Sequence, residues 1–173
     1  MADLAAIKTS NGRFGYEAAG DRSLPPLIWL HGSVGSARAW RTQLEFFKDR
    51  FRAIAWDMPG YGGSAPLPKV SIPSLASALK DFLSEVGANK PVIAGHSIGG
   101  MIVQQLLIDN PHIARAAVLA QTSPAFGKAD GDWQKTFIDA RLGPLDRGER
   151  MKQLAPSLVS ELVGDNPAAA VID

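Results

Sequence analysis

The sequence predicts an α/β domain, a mostly parallel β-sheet flanked by helices, with a helical appendage at its C-terminal end. Three observations carry that expectation. Four short apolar runs, Leu27–Leu30, Ala53–Trp56, Val92–Ala94 and Ala116–Leu119, show no polar alternation, as strands buried on both faces do. Helical spacings of apolar residues fall between those runs, and strand–helix alternation argues for parallel pairing. After Leu119 only helix-like pieces follow.

Each element has its own signal. Arg13–Ala19 alternates loosely and ends at Gly20-Asp21, which reads as an early strand. Trp40, Leu44 and Phe47 fall on one helical face, and so do Leu75, Leu79, Phe82 and Val86. Ser74, after Pro73, is placed to cap the second of these helices, and Gly87 to close it in a left-handed conformation. Ile98–Asp109 is apolar almost all round, so a buried helix is expected, stopped by Asn110-Pro111. Beyond Gln121, helical pieces are expected around Trp133, Phe137 and Ala140, over 150–155 and over 157–163, broken at Pro144, Pro156 and Pro167. The chain therefore divides into residues 1–120, a sheet domain, and 121–173, the helical segment.

Composition excludes several classes. The 173 residues carry a net charge of +1, with 46% apolar and 20% charged residues. That balance gives no electrostatic reason to expect nucleic acid or an anionic membrane as partner. There is no cysteine, so thiolate nucleophiles, disulfides and Cys-ligated metals are excluded. No apolar run approaches the roughly 18 residues that span a bilayer. Met1–Lys8 has an acidic third residue and no apolar stretch, so it does not read as a secretory signal. The expected location is the cytoplasm. No G-x-x-x-x-G-K-[ST], dinucleotide fingerprint or H-E-x-x-H is present, so no cofactor and no metal are expected.

Gly95-His-Ser-Ile-Gly99 lies between the Val92–Ala94 strand and the Ile98–Asp109 helix. A G-x-S-x-G in that context is a nucleophile elbow. A serine hydroxyl is a weak nucleophile and must stand clear of the sheet's C-terminal edge. A sharp strand-to-helix turn presents it there, and Gly95 and Gly99 leave room for the turn. Ser97 is thus the candidate nucleophile. The helix behind it aims N–H groups and a positive dipole at developing negative charge. Two more loops follow predicted strands: His31-Gly-Ser-Val-Gly35 and Asp57-Met-Pro-Gly-Tyr-Gly-Gly-Ser64.

With these three loops in this order the sequence resembles the α/β-hydrolase superfamily over essentially its whole length. Its texture is most similar to the serine esterase and 3-oxoadipate enol-lactonase branch. The resemblance implies an α/β-hydrolase fold whose last strands are absent here, with residues 121–173 as a partial helical cap. It implies an oxyanion hole formed by the backbone N–H of Ser33, from the His31-Gly32 loop, and of Ile98, worth about 3 kcal/mol for each donor. It implies a small ester or lactone as substrate, attacked by Ser97 and released by water. Haloalkane dehalogenases and epoxide hydrolases share the fold but use aspartate at the elbow, so Ser97 disfavours both. Cofactor-free haloperoxidase and C–C bond hydrolase chemistry use the same serine elbow and stay open.

The resemblance also implies a catalytic acid and a catalytic histidine, and this chain offers neither. His31 belongs to the oxyanion loop and is expected to hold it. His96 is expected to pack or hydrogen-bond under the elbow. His112 follows the helix, well away from Ser97. Asp57 is a turn residue, Asp130 and Asp132 lie in the cap-like segment, and the position after the last strand reads Gln121-Thr-Ser. The chain is therefore expected to be a truncated product of a hydrolase of roughly 260 residues. As it stands it should show little turnover, since losing such groups costs about 10⁴- to 10⁶-fold. Two rivals remain: a non-catalytic small-ligand binder, and a half-enzyme completed by a second chain. In the family's strand order Ala116–Leu119 is an edge with no charge or proline to blunt it, which invites self-association.

Other residues take plainer readings. Trp133 and Phe137 are expected to pack, Met101 and Ile102 to lie in the core, and Lys69, Lys80 and Lys90 to be solvated.

Overall fold

The computed structural model describes residues 4–125, 127, 131–150 and 153–154. These fall into two compact units that meet in the chain at Pro124 and Ala125. In the first, the strands are β1 (Ile7–Lys8), β2 (Gly15–Ala19), β3 (Pro26–Leu30), β4 (Arg52–Trp56), β5 (Val92–His96) and β6 (Ala116–Ala120). Its helices are α1 (Arg41–Phe47), α2 (Ile72–Glu85) and α3 (Ile98–Asp109). The second unit contains α4 (Asp132–Asp146).

One six-stranded sheet runs in the order β1-β2-β4-β3-β5-β6. The β1–β2 and β2–β4 pairings are antiparallel, and the other three are parallel. From β3 the chain moves outward to β4, then returns to the other side of β3 to form β5. That reversal opens a crevice beyond the C-terminal ends of β3 and β5, the usual place for a ligand in an α/β sheet. His31 and Ser97 stand at those two ends.

Period-two alternation divides the sheet's two faces. Ile28, Leu30, Ile54, Trp56 and Ile93 turn to one side and are buried with Leu79 and Phe82 of α2 and Ile102 and Leu106 of α3. Phe14, Trp56 and Phe82 meet there, ring centroids 5.6 to 6.0 Å apart. Ala53 and Ala55 turn to the other side, under Leu44 of α1. Trp29 packs there on Trp40 at 4.8 Å and on Phe47 at 5.7 Å. Trp40 itself closes a 3-10 turn, Ala37–Trp40, that precedes α1.

Three expectations need correction, and one short strand was not expected. The cap of α2 is Ser71, not Ser74: Ser71 Oγ accepts the Ser74 N–H at 3.2 Å and Ser74 Oγ accepts the Ser71 N–H at 2.9 Å. Pro73 lies inside the first turn, where an N–H has no partner within the helix, so the helix begins before the proline. Helix α3 buries only one face, including Ile102, Val103 and Leu106, while Ile108 is 73% exposed. Its neighbour β6 is the last strand of the sheet and all five of its residues are exposed. Pro144 does not break α4, which runs to Asp146. A proline that late removes a single bond from the final turn, and the Arg147 N–H to Gly143 O bond at 3.1 Å still closes it. Lastly, β1 had no signal in the sequence, being two residues long. Asp130, the side chain of Trp133 and the expected piece over 157–163 lie outside the described residues, as do Met151, Lys152 and Ala155 of the piece over 150–155.

Candidate active site

Ser97 joins β5 directly to α3 with φ 54° and ψ −122°. Side chains rarely adopt that conformation, which costs about 1–3 kcal/mol. It persists because its surroundings over-determine it. The Ser97 N–H donates to Ala120 O at 3.0 Å, and Ser97 O accepts from Gly100 N–H at 2.9 Å. Ser97 is half-buried, and its hydroxyl makes no capping bond to the helix.

The glycines are where strand and helix come closest. A Cβ at Gly95 would lie 2.6 Å from Gly99 O, and one at Gly99 would lie 2.8 Å from both Leu30 O and His31 O. So the elbow is wedged against β3 with no room for a methyl group. A Cβ at Gly32 would sit 3.4 Å from Ser97 Cβ and 3.0 Å from His96 Nδ1. The loop after β3 therefore lies directly against the serine. Ser33 on that loop is exposed and Ile98 is half-buried.

His31 is 1% exposed. The Met58 N–H donates to its Nε2 at 3.1 Å, so the ring hydrogen sits on Nδ1 and is donated to Gly32 O at 2.7 Å. Burial holds its pKa below the usual imidazole value, against weaker opposing pulls from that hydrogen bond and from Asp57. Tyr61 meets the His31 ring edge-on at 5.0 Å and donates its hydroxyl to Ser33 O at 2.8 Å. Asp57 is buried. One carboxylate oxygen accepts the Ala37 N–H at 2.7 Å and the other the Gly63 N–H at 2.9 Å. It ties the turn after β4 to the segment after the His31 loop.

His96 donates from Nε2 to Gln121 Oε1 at 3.0 Å. His112 is exposed and lines a pocket of about 450 Å³ with Lys80, Lys90 and Ile113. Lys90 precedes β5 and His112 precedes β6, so that pocket lies at the opposite end of the strands from Ser97. A smaller pocket of about 410 Å³ lies beside the elbow, lined by His31, Gly32, Val34, Ala39, Trp40 and His96. Asp132 belongs to the first turn of α4 in the second unit. Among the described residues no group of three or more His, Asp or Glu is clustered as metal ligands would be.

Sequence reasoning assigned no role to Tyr61, Gln121 or Thr122. Thr122 Oγ1 donates to Ser97 O at 2.7 Å across 25 residues of sequence. The only advance signal was position: Gln121 and Thr122 follow a predicted parallel neighbour of the elbow strand.

The fold and elbow define a class of protein. The family model for the alpha/beta hydrolase fold matches residues 25–168, and the chain belongs to that family. It is 40% identical over 110 residues to Epoxide hydrolase 4 of Mus musculus, an alignment covering 62% of this chain and 31% of that one. It is 29% identical to the pimeloyl-[acyl-carrier protein] methyl ester esterase of Proteus mirabilis, covering 58% of this chain and 37% of that one. Among solved structures, a hydrolase from Pseudomonas aeruginosa PA01 superposes with a TM-score of 0.75 at 24% identity, over 99% of this chain and 64% of that one. The chain thus spans about a third of the length of these curated relatives. No helix among the described residues is long and apolar enough to cross a membrane.

Proposed function

We propose that this chain carries the nucleophile and oxyanion hole of a serine-type hydrolase acting on small carboxylic esters or lactones in the cytoplasm. Residues 1–120 form part of its catalytic core and 121–173 part of its cap. Ser97 Oγ attacks the carbonyl carbon, and its proton passes to a base. The Ser33 and Ile98 N–H groups hold the tetrahedral oxyanion. The intermediate collapses as the base returns the proton to the departing oxygen, the alcohol is released, and water then hydrolyses the acyl-serine. The observation that carries this reading is the conformation of Ser97, a strained non-glycine residue at a helix N-terminus, against the Gly32 loop.

The elbow residue also bears on the substrate. A carboxylate that opens an epoxide forms an ester, which water can hydrolyse. A serine that opened one would form an ether, a dead end. The likeness to epoxide hydrolases therefore carries the fold, and Ser97 points to acyl chemistry.

The base is not among the three histidines of the chain. His31 has both nitrogens engaged, His96 is held by Gln121, and His112 is at the wrong end of the sheet. This chain alone should therefore turn over little. A half-enzyme completed by a second chain is favoured over a simple binder by β6, whose far edge pairs with no strand among the described residues. An oxyanion hole without its base still accelerates acyl transfer. Slow fluorophosphonate modification at pH 9, followed by peptide mass spectrometry, tests this. Ser97 should be modified ahead of every other serine, and S97A should abolish that adduct. Labelling no faster at Ser97 than elsewhere would sink the reading.

A further inference from the structure

We infer that Thr122 is a positioning residue of the oxyanion hole, fixing and polarising the peptide that carries the Ile98 N–H. This rests on the assignment of Ile98 as an oxyanion donor made above. A peptide unit is planar and trans, so its C=O and N–H point in opposite directions. Whatever holds Ser97 O therefore aims the Ile98 N–H.

Three donors hold that oxygen. Two come from the first turn of α3, Gly100 N–H at 2.9 Å and Met101 N–H at 3.3 Å. The third and shortest is the Thr122 hydroxyl at 2.7 Å. Each bond onto the carbonyl draws electron density toward oxygen and leaves the N–H a better donor, by about 10–30% per bond. Thr122 is itself held in place. A Cβ at Gly100 would come within 2.7 Å of its Cβ and Oγ1, so only glycine there admits it. Gln121, with φ 46°, makes the turn that brings Thr122 back over the elbow, and its side chain bonds His96. Ala120 O takes the Ser97 N–H at 3.0 Å, so both sides of the serine backbone are tied to residues 120–122.

The other donor peptide is built in the same way. The Ser33 N–H shares its peptide with Gly32 O, which accepts His31 Nδ1 at 2.7 Å and the Gly35 N–H at 3.1 Å. Two unrelated segments thus place a side-chain donor on the carbonyl opposite each proposed oxyanion N–H.

The test is the rate of Ser97 phosphonylation by a fluorophosphonate at pH 9. In that step the Oγ–P bond forms, the P–F bond breaks, fluoride leaves and hydroxide takes the serine proton. The transition state puts negative charge on the phosphoryl oxygen in the hole. Thr122→Val keeps the shape and removes the hydroxyl, and it should slow labelling about fivefold, because the Ile98 N–H is weakened and less firmly aimed but not lost. Thr122→Ser restores the donor and should return the rate to within about twofold of the parent. If Thr122→Val does not fold, Thr122→Ala replaces it with the same expectation. Unchanged labelling in Thr122→Val, or Thr122→Ser as slow as Thr122→Val, overturns the inference. Those outcomes leave Ser97 as nucleophile, whereas an adduct that survives S97A removes the underlying reading as well.

Discussion

The amide nitrogen of Met58 lies 3.1 Å from Nε2 of His31 and donates its hydrogen to it, and this contact makes the buried imidazole an acceptor. A protonated ring would carry hydrogen on both nitrogens and lose that bond. Burial opposes the charge as well. The unfolded histidine takes a proton near its ordinary value of 6.5, and the folded one only at lower pH. Between those two values the unfolded chain binds more protons, so stability falls as pH falls. The slope from one such group is at most about 1.4 kcal/mol per pH unit. Above pH 6.5 this contribution is complete and flat. Urea unfolding at pH 7.5, 6.5 and 5.5 should show the loss in the parent chain and a shallower dependence in His31→Asn. Equal slopes would refute this account of His31.

Strain at Ser97 makes a prediction of opposite sign for stability. Ser97→Gly should be more stable than Ser97→Ala by about 1 kcal/mol, because glycine adopts φ 54° without cost while losing some chain entropy. Both variants lack the hydroxyl, so the comparison isolates the backbone. Thermal unfolding of the pair measures it, and an alanine variant as stable as the glycine one would mean the elbow is not strained.

What the sequence made legible followed from local physics. β3, β4, β5 and α3 lie within a residue or two of their expected bounds, because strands buried on both faces must be continuously apolar. The elbow was readable because Gly95 and Gly99 answer a steric demand that only glycine meets. The start of α2 was misread because Pro73 looks like a boundary and is a first-turn residue. The exposed face of α3 was misread because an apolar side chain such as Ile108 does not itself say whether anything covers it. Thr122 was out of reach for a different reason. Its contact with Ser97 depends on the β5–β6 register, His96 opposite Ala120, and on a turn at Gln121 that no local pattern announces.

Asp57 should be among the costliest positions to alter away from the elbow. Its carboxylate satisfies the Ala37 and Gly63 N–H groups, and the residue is 6% exposed. Asp57→Ala leaves two donors without partners, each costing about 1–3 kcal/mol. Asp57→Asn keeps the shape but turns an NH₂ toward one of those donors. Both should lower the urea midpoint by amounts corresponding to at least about 2 kcal/mol. A change within about 0.5 kcal/mol, the range of ordinary surface substitutions, would contradict the role given to this carboxylate.

The edge at β6 yields the last prediction. Val118 is 53% exposed and Leu119 46%, on a strand with β5 on one side and, among the described residues, no strand on the other. Unpaired N–H and C=O groups beside exposed apolar side chains form a template for another strand. The chain should therefore associate with itself as its concentration rises. Val118→Lys puts a charge on the edge without emptying the core, so it should leave the urea midpoint within about 0.5 kcal/mol of the parent and suppress the association. Sedimentation velocity across a hundredfold concentration range reads both chains. A parent chain that stays monomeric would show the edge to be protected, and association that survives Val118→Lys would place the contact elsewhere on the surface.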